Sequence, residues 1–400
     1  MKMYEIENKI FMHPDEWEQW MKKLPNPTDD FQRARNHYLC RNFYESKLVK
    51  VFRNAAAFFL IPVLFIVLRL NHFKKQKKNK QASKADAVLF CTNPKFRTYF
   101  EDVPDEIVEK YPNRVIYQSR GKKDILYSYC LNKEDGAFFR KAIMRYPFAF
   151  DMNLRVLSHI SKIRYLLEEY HPKAFVSIQT ERDFTTSLLA MYCENKGVEY
   201  IGFMHGECFK DLSHAYVRFT KFYVWDKYYI KQFAETGSPV DRFTTYESKR
   251  LEKRFVASEN PKYYATYYLN GIESKESLDK LKTAFLRIDR GKCSIRPHPK
   301  LTDIHQLKEL FSDTNIDIED CSQISLKDSL ENAKYIISKY STVLSEAYYS
   351  NLNIVIDDFS DEQLYQNLIK IMYINLNRTT LRLSDLIHDG HSGGTVGVEA

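Results

Sequence analysis

Arg296-Pro297-His298-Pro299-Lys300 sets three cationic or protonatable side chains within five residues. Two prolines around a histidine fix φ at the rings and disfavour helix before them, so the segment reads as a stiff extended turn. It follows the apolar run Cys293–Arg296, a strand pattern, and should project His298 beyond that strand's end. Arg296, His298 and Lys300 together suit phosphate oxygens. The plainer alternative is a rigid turn whose histidine caps a carbonyl or a helix.

A second cluster, Ser338-Lys339-Tyr340-Ser341-Thr342, joins the strand-like Tyr335–Ser338 to the helical Val343–Tyr349. Ser341 or Thr342 is a good N-cap type, and the free N–H groups of a helix start attract anions. Glu346 lies one turn further on. It is placed either to reach ribose hydroxyls or simply to favour the positive end of the helix. In the third cluster, Met204-His205-Gly206-Glu207, the strand Val198–Met204 runs into a histidine suited to general-base work near neutral pH. Gly206 permits close backbone approach. Glu207 is a second candidate base, or the group that orients His205. A histidine satisfied by the local backbone is the competing reading.

Weaker features share the same setting. Asn93 and Lys95 follow the strand Ala87–Cys91, and Glu181, Arg182 and Asp183 follow the strand Ala174–Ile178. Each also reads as a solvated helix start. Asp357-Asp358 resembles a metal-binding dyad but comes late in the chain, and no Asp-x-Asp pair stands between a strand and a loop. No metal and no cofactor are therefore expected, with Arg, Lys, His and a helix N-terminus neutralising a leaving phosphate. The seven cysteines are scattered without a Cys-x-x-Cys pair, which fits reduced thiols in a cytosolic compartment.

The elements that must position these groups alternate. Strand patterns are expected at 87–91, 114–118, 125–129, 174–178, 198–204 and 222–225, with helices at 154–170 and 185–195. A second series follows, with strands at 265–269, 293–296, 316–318, 335–338 and 354–356. Its helices are expected at 275–286, 304–311, 326–333, 343–349 and 362–372. This rhythm means parallel βαβ units. Two Rossmann-type domains are expected, 86–250 and 251–380, with a cleft between them and ligands at the carboxyl ends of the strands. A helical segment, 1–54, should precede them, opened by Pro14-Asp15-Glu16. The Gly-rich end, 381–400, is expected to be a flexible tail.

Residues 55–68 read AAAFFLIPVLFIVL with no charge, between Arg53 and Arg69. The run is shorter than the roughly 20 residues of a spanning helix, and Pro62 should kink it. Cations lie on both flanks, with a linker over 72–85 rich in lysine. A re-entrant hairpin or in-plane anchor keeps both flanks on the cytoplasmic face, whereas a single span does not. The formal charge of +8, concentrated after the apolar run, points to an anionic membrane surface and not to nucleic acid. At 44% hydrophobic and 28% charged residues, composition excludes a disordered chain.

In this order the motifs resemble those of the two-Rossmann-domain (GT-B) glycosyltransferases. Among these are the bacterial capsule sialyltransferases and polysialyltransferases, and the CDP-glycerol glycerophosphotransferases of teichoic acid synthesis. In those families a His-Pro and a later Ser/Thr motif bind the phosphates of a cytidine nucleotide, matched here by His298-Pro299 and Ser341-Thr342. A His-Gly supplies the base in the glycerophosphotransferases, matched by His205-Gly206. The resemblance covers roughly residues 86–376. It implies an inverting, metal-independent transfer from a nucleotide-activated donor to a saccharide or lipid-linked acceptor. The polysialyltransferase acidic motif ahead of a glycine is missing, since Glu207 follows Gly206. UDP-sugar 2-epimerases share the fold, the His-Pro and a Ser-rich helix start. An epimerase and a non-catalytic membrane scaffold are therefore the competing functions.

Overall fold

A computed structural model describes residues 14–77, 83–91, 94–119, 121–178, 180–251, 255–271 and 273–388. The chain divides into two units, Met1–Ser248 and Lys249–Ala400. Asn93 and residues 389–400 of the expected tail lie outside the described residues; the start of that tail is not flexible but packed, because Leu383–His388 is a helix that buries Leu383, Leu386 and Ile387.

The first unit is built on β1 (Ala87–Cys91), β2 (Arg114–Tyr117), β3 (Ala174–Ile178), β4 (Glu199–Phe203), β5 (Lys221–Val224) and β6 (Phe243–Thr245). They form one parallel sheet in the order β2-β1-β3-β4-β5-β6. Every residue of β1 and β3 is buried, as strands covered on both faces must be. The chain reverses direction across the sheet between β1 and β3, and an open α/β sheet of this kind binds ligands outside the carboxyl ends of such strands. Gly202 in β4 is required by close approach: a Cβ there would lie 2.5 Å from the ring of Phe219, which stacks on Phe222.

Helix Phe150–Tyr170 buries Val156, Leu157, Ile160, Ile163 and Leu166, the spacing expected from the sequence. Helix Asp30–Arg41, capped by Asp29, is an element that the apolar pattern does not reveal. Polar ties hold it to this unit: Arg33 donates to the Gly237 carbonyl (3.0 Å), Arg218 pairs with Asp30 (3.2 Å), and His37 Nε2 bonds the Ser213 carbonyl (2.9 Å).

Two further expectations are corrected. Ile125–Tyr129 does not form a strand, because Lys122–Tyr127 is a helix opened by Gly121 at φ 66°. There Asp124 is buried and accepts a hydrogen bond from Tyr117, and Asn71 bonds the Leu126 carbonyl. These contacts override the strand preference of the apolar run. The apolar segment is not a re-entrant hairpin. It forms one continuous helix, Lys47–Lys77, that passes through Pro62 and takes in residues 72–77 of the expected linker. Proline removes one backbone hydrogen bond, and contacts spread along the helix compensate. Arg53 pairs with Glu45 and Asp151, Asn71 bonds the Leu126 and Tyr129 carbonyls, and His72 meets Glu168. By length and composition this helix could cross a membrane, and only 11% of its most apolar 18-residue window is buried.

The second unit contains β7 (Tyr263–Tyr268), β8 (Cys293–Arg296), β9 (Asp317–Ile318), β10 (Ala333–Ser338) and β11 (Asn353–Ile356). These are again parallel, in the order β11-β10-β7-β8-β9, with the reversal between β7 and β10. Ala265, Tyr267, Leu281, Phe285, Ile295, Ile337 and Val355 form its core. Ser274, Asp303, Ser325, Ser341 and Asp361 each cap a following helix. Two parallel α/β units preceded by helices are thus the architecture that the alternating pattern implied.

Candidate active site

In the first unit, neighbouring strands deliver a histidine and a carboxylate. His205 follows β4. The backbone just before it is pinned at Met204, whose N–H bonds the Tyr223 carbonyl (3.0 Å) and whose carbonyl accepts from Tyr246 Oη (3.0 Å). Glu181 follows β3 on the short turn Thr180–Arg182. Its side chain is 2% exposed, and its Oε1 lies 3.4 Å from His205 Nδ1. The edge of Tyr99 closes on the imidazole, with rings 5.8 Å apart at 89°. The carboxylate approaches Nδ1 at ion-pair distance without hydrogen-bond alignment; an aligned Nδ1–H donor to it makes Nε2 the proton-accepting nitrogen. A contact of this length in a ligand-free site is compatible with tightening on substrate. The carboxylate against Nδ1 is Glu181's, a residue that the sequence suggested only as a solvated helix start. Glu207 is half-buried two residues beyond His205. Asp183 accepts from Thr185 N–H and Oγ1 and lies 3.5 Å from His159 Nδ1.

Behind this turn, Glu181, Cys208 and His214 bring one ligand atom each to within 4.8 Å of one another, a donor set unforeseen from the sequence. Burial alone would lower the pKa of His214, but Asp211, 3.3 Å away, raises it to about 10. The resulting imidazolium opposes a bound cation. Asp211 itself is penalised by burial, yet His214 holds it well below the usual carboxylate range.

His37, which bonds the neighbouring Ser213 carbonyl, shows the opposite shift: burial lowers its pKa to about 4. The unfolded chain then binds a proton between pH 6.5 and 4 that the folded chain refuses, so stability falls as pH drops through that window. His159, also lowered by burial, adds to the same edge. The His214 contribution is complete below pH 6.5 and is lost only as pH rises towards 10, so it does not produce the acid edge. Thermal melts from pH 7.5 to 4.5 should show a loss approaching ~3 kcal/mol from His37. His37→Gln should flatten the slope, and an unchanged slope would exclude His37 as its source.

In the second unit, the His298 turn leaves β8, the strand beside β7, and the Ser341 segment leaves β10 on β7's other side. Both therefore emerge at carboxyl ends around the reversal. Thr302 ties the turn down. Its Oγ1 accepts from His298 N–H (3.0 Å) and donates to the Gly271 carbonyl (3.1 Å). His298 Nδ1 accepts from Lys300 N–H (3.2 Å). That bond puts the proton of neutral His298 on Nε2, presetting the half-exposed ring as a donor. Lys300 is exposed.

Arg296 is placed differently. It is buried, with Nη1 on Glu319 (2.9 Å) and Nη2 on the Ile324 carbonyl (3.0 Å). The guanidinium braces the turn from behind, which the sequence could not show because its partners lie more than 20 residues away.

Ser341 is the N-cap, its Oγ accepting from Val343 N–H (3.2 Å), and Tyr373 Oη meets its N–H (3.1 Å). Thr342 is exposed at the first helical position, and half-buried Glu346 follows one turn later. Beneath lies an unforeseen network. Buried Lys339 contacts Glu273 and Ser277 Oγ (2.6 Å), while Ser338 Oγ bonds the Tyr268 carbonyl (2.8 Å) and Asn270 (3.0 Å). Asp357 and Asp358 form no outward dyad. Asp357 accepts from Tyr267 (2.6 Å) and from the amides of Phe359 and Ser360, and Asp358 accepts from Ser384.

No protein-family model matches the sequence, and no curated protein matches it. Solved structures resemble the fold distantly. The glycotransferase of kitacinnamycin aligns with a TM-score of 0.42 at 9% identity, covering 76% of this chain and 91% of that one. The wall teichoic acid polymerase TagF, an H444N variant soaked with CDPG, gives 0.33 at 9%, covering 86% and 92%. The UDP-GlcNAc 2-epimerase of Methanocaldococcus jannaschii gives 0.34 at 13%, covering 72% and 92%. None of these likenesses is strong enough for function to pass from that protein to this chain.

Proposed function

We propose that this chain is a GT-B glycosyltransferase, or a polyol-phosphate transferase, that uses a CMP- or CDP-linked donor to build a capsular, lipopolysaccharide or teichoic-acid-like surface polysaccharide. The observation that carries this reading is the buried Glu181 against His205 Nδ1 at neighbouring strand ends, an orientation suited to a general base. The preset His298 donor and the Ser341-capped helix around the second sheet's reversal support a phosphate site. The motif resemblance supplies the cytidine.

In a single displacement with inversion, His205 Nε2 takes the proton of an acceptor hydroxyl. The oxygen attacks the donor carbon (or phosphorus, for a polyol phosphate) as the bond to the nucleotide breaks. The leaving phosphate departs with the electron pair. His298 Nε2–H and the positive end of the Ser341-capped helix meet its charge, Lys300 and Thr342 reach it from the exposed rim, and Glu346 holds the ribose. Arg296 keeps the turn in register. The local hydrogen bonds of Asp357 and Asp358 favour metal-independent transfer. The acceptor is a saccharide or lipid-linked chain met at the anionic, cytoplasmic face of a membrane, with the protein peripheral or monotopic there.

The test is a thermal-shift panel with CMP, CDP, UMP, UDP and GDP. It needs the full chain, because the Lys47–Lys77 helix is tied into the first unit. Saturation by CMP or CDP at 100 times Kd adds about 2.7 kcal/mol, a rise of roughly 5–10 °C. The rise should vanish in His298→Ala. A response to UDP alone moves the reading to uridine donors and the epimerase. Silence towards every nucleotide removes the donor site.

A further inference from the structure

The Lys47–Lys77 helix inverts the rule for a helix packed on a core, which turns polar residues outward. Its inward stripe holds the polar anchors, with Asn71 and His72 buried beside Ala57 and Leu68. Its outward face is apolar: Phe52, Phe59, Val63, Ile66 and Leu70 are 51% to 73% exposed. Among the described residues, 11 of the 21 exposed large apolar side chains sit on this one helix, a contiguous patch of the kind that marks a binding face.

We propose that this helix lies in the plane of an anionic phospholipid leaflet, with that outward face immersed and its axis parallel to the surface. The proposal rests on the membrane partner named above and specifies how it is met. Two observations choose the bilayer and the orientation. First, the helix carries seven cations and no acidic residue, with exposed Lys47 and Lys74 at opposite ends. Anionic head groups on one side of a bilayer can meet both ends only if the helix lies flat.

Second, the ties that hold the helix run along its length. Arg53 pairs with Asp151 (3.2 Å), and Asn54 accepts from Asp151 N–H (3.0 Å). Arg69 donates to the Leu131 carbonyl (3.2 Å), and Lys75 pairs with Glu169 (3.2 Å). From Arg53 to Lys75 the axis covers ~33 Å, about the hydrocarbon thickness itself. Crossing the bilayer would break every one of these ties and strand buried Asp151.

The test uses the full chain with vesicles of phosphatidylcholine alone or mixed with phosphatidylglycerol. Binding should require the anionic lipid, weaken with salt, and fall at least tenfold in Phe59→Glu/Val63→Glu. The melting temperature and nucleotide response of that variant should stay unchanged. Protease-cleavable tags inserted before Lys47 and after Lys77 should both be cut from outside sealed vesicles. Protection of one tag overturns the flat orientation while keeping the membrane partner. Absence of binding to every vesicle, or a soluble dimer that conceals the apolar face, overturns the membrane partner as well.

Discussion

Replacing His205 with alanine lowers the turnover of group transfer by about 10²–10⁴-fold, the usual worth of a positioned general base. The nucleotide-induced rise in melting temperature persists, because His205 belongs to the first unit and the residues proposed to bind phosphate belong to the second. Glu181→Gln keeps the size of the buried side chain at Nδ1 but removes its charge, so the imidazolium formed in the transition state loses its counter-ion. Turnover then falls by about tenfold or more with KM little changed. Single-turnover rates on saturating donor check both variants. Wild-type turnover in His205→Ala would assign the base elsewhere, with Glu207 the first to try. A fall in melting temperature matching the loss of activity would make the pair structural.

Glu273→Ala produces the other large effect, in the second unit. Lys339 is 4% exposed, and its ammonium rests on Glu273 and Ser277. Removing the carboxylate leaves a buried cation without its counter-charge, at a cost of about 3–5 kcal/mol. For a unit of this size that is a drop of roughly 10–15 °C in the melting transition. Ser341 lies two residues beyond Lys339, so the nucleotide response should vanish with it. Adding Lys339→Met removes the stranded charge and should restore much of the stability. If nucleotide binding returns too, the pair only shapes the loop; if stability alone returns, the ammonium touches the donor. Differential scanning calorimetry with and without CDP separates these cases. A single variant that melts like the wild type would refute the buried-pair argument.

The repeating strands and helices were legible because strands covered on both faces are continuous apolar runs, as in β1 and β3. The position of His205, His298 and Ser341 at strand ends was legible because each comes within three residues of such a run. Long-range partners were hidden. Nothing near Arg296 in the sequence shows that it turns inward to Glu319. Glu181 meets His205 only because β3 and β4 are neighbours. Within the expected helical segment 1–54, the bounds of helix Asp30–Arg41 were hidden because polar anchors hold it as much as apolar ones, with His37 and Asn36 buried beside Tyr38. The same holds for residues 72–77, where a Lys-rich linker was expected and His72 is instead buried against Glu168.

The position of the Lys47–Lys77 helix in the chain has a consequence during synthesis. It leaves the ribosome before the helix it packs on, whose end, Tyr170, follows Lys77 by 93 residues. At 5–20 residues per second the helix waits roughly 5–20 s with both faces uncovered. A nascent chain in that state is a substrate for whatever captures apolar segments first, a chaperone or a nearby bilayer. Whether such capture or the completion of the first sheet comes first is therefore written into the spacing between residue 77 and residue 150.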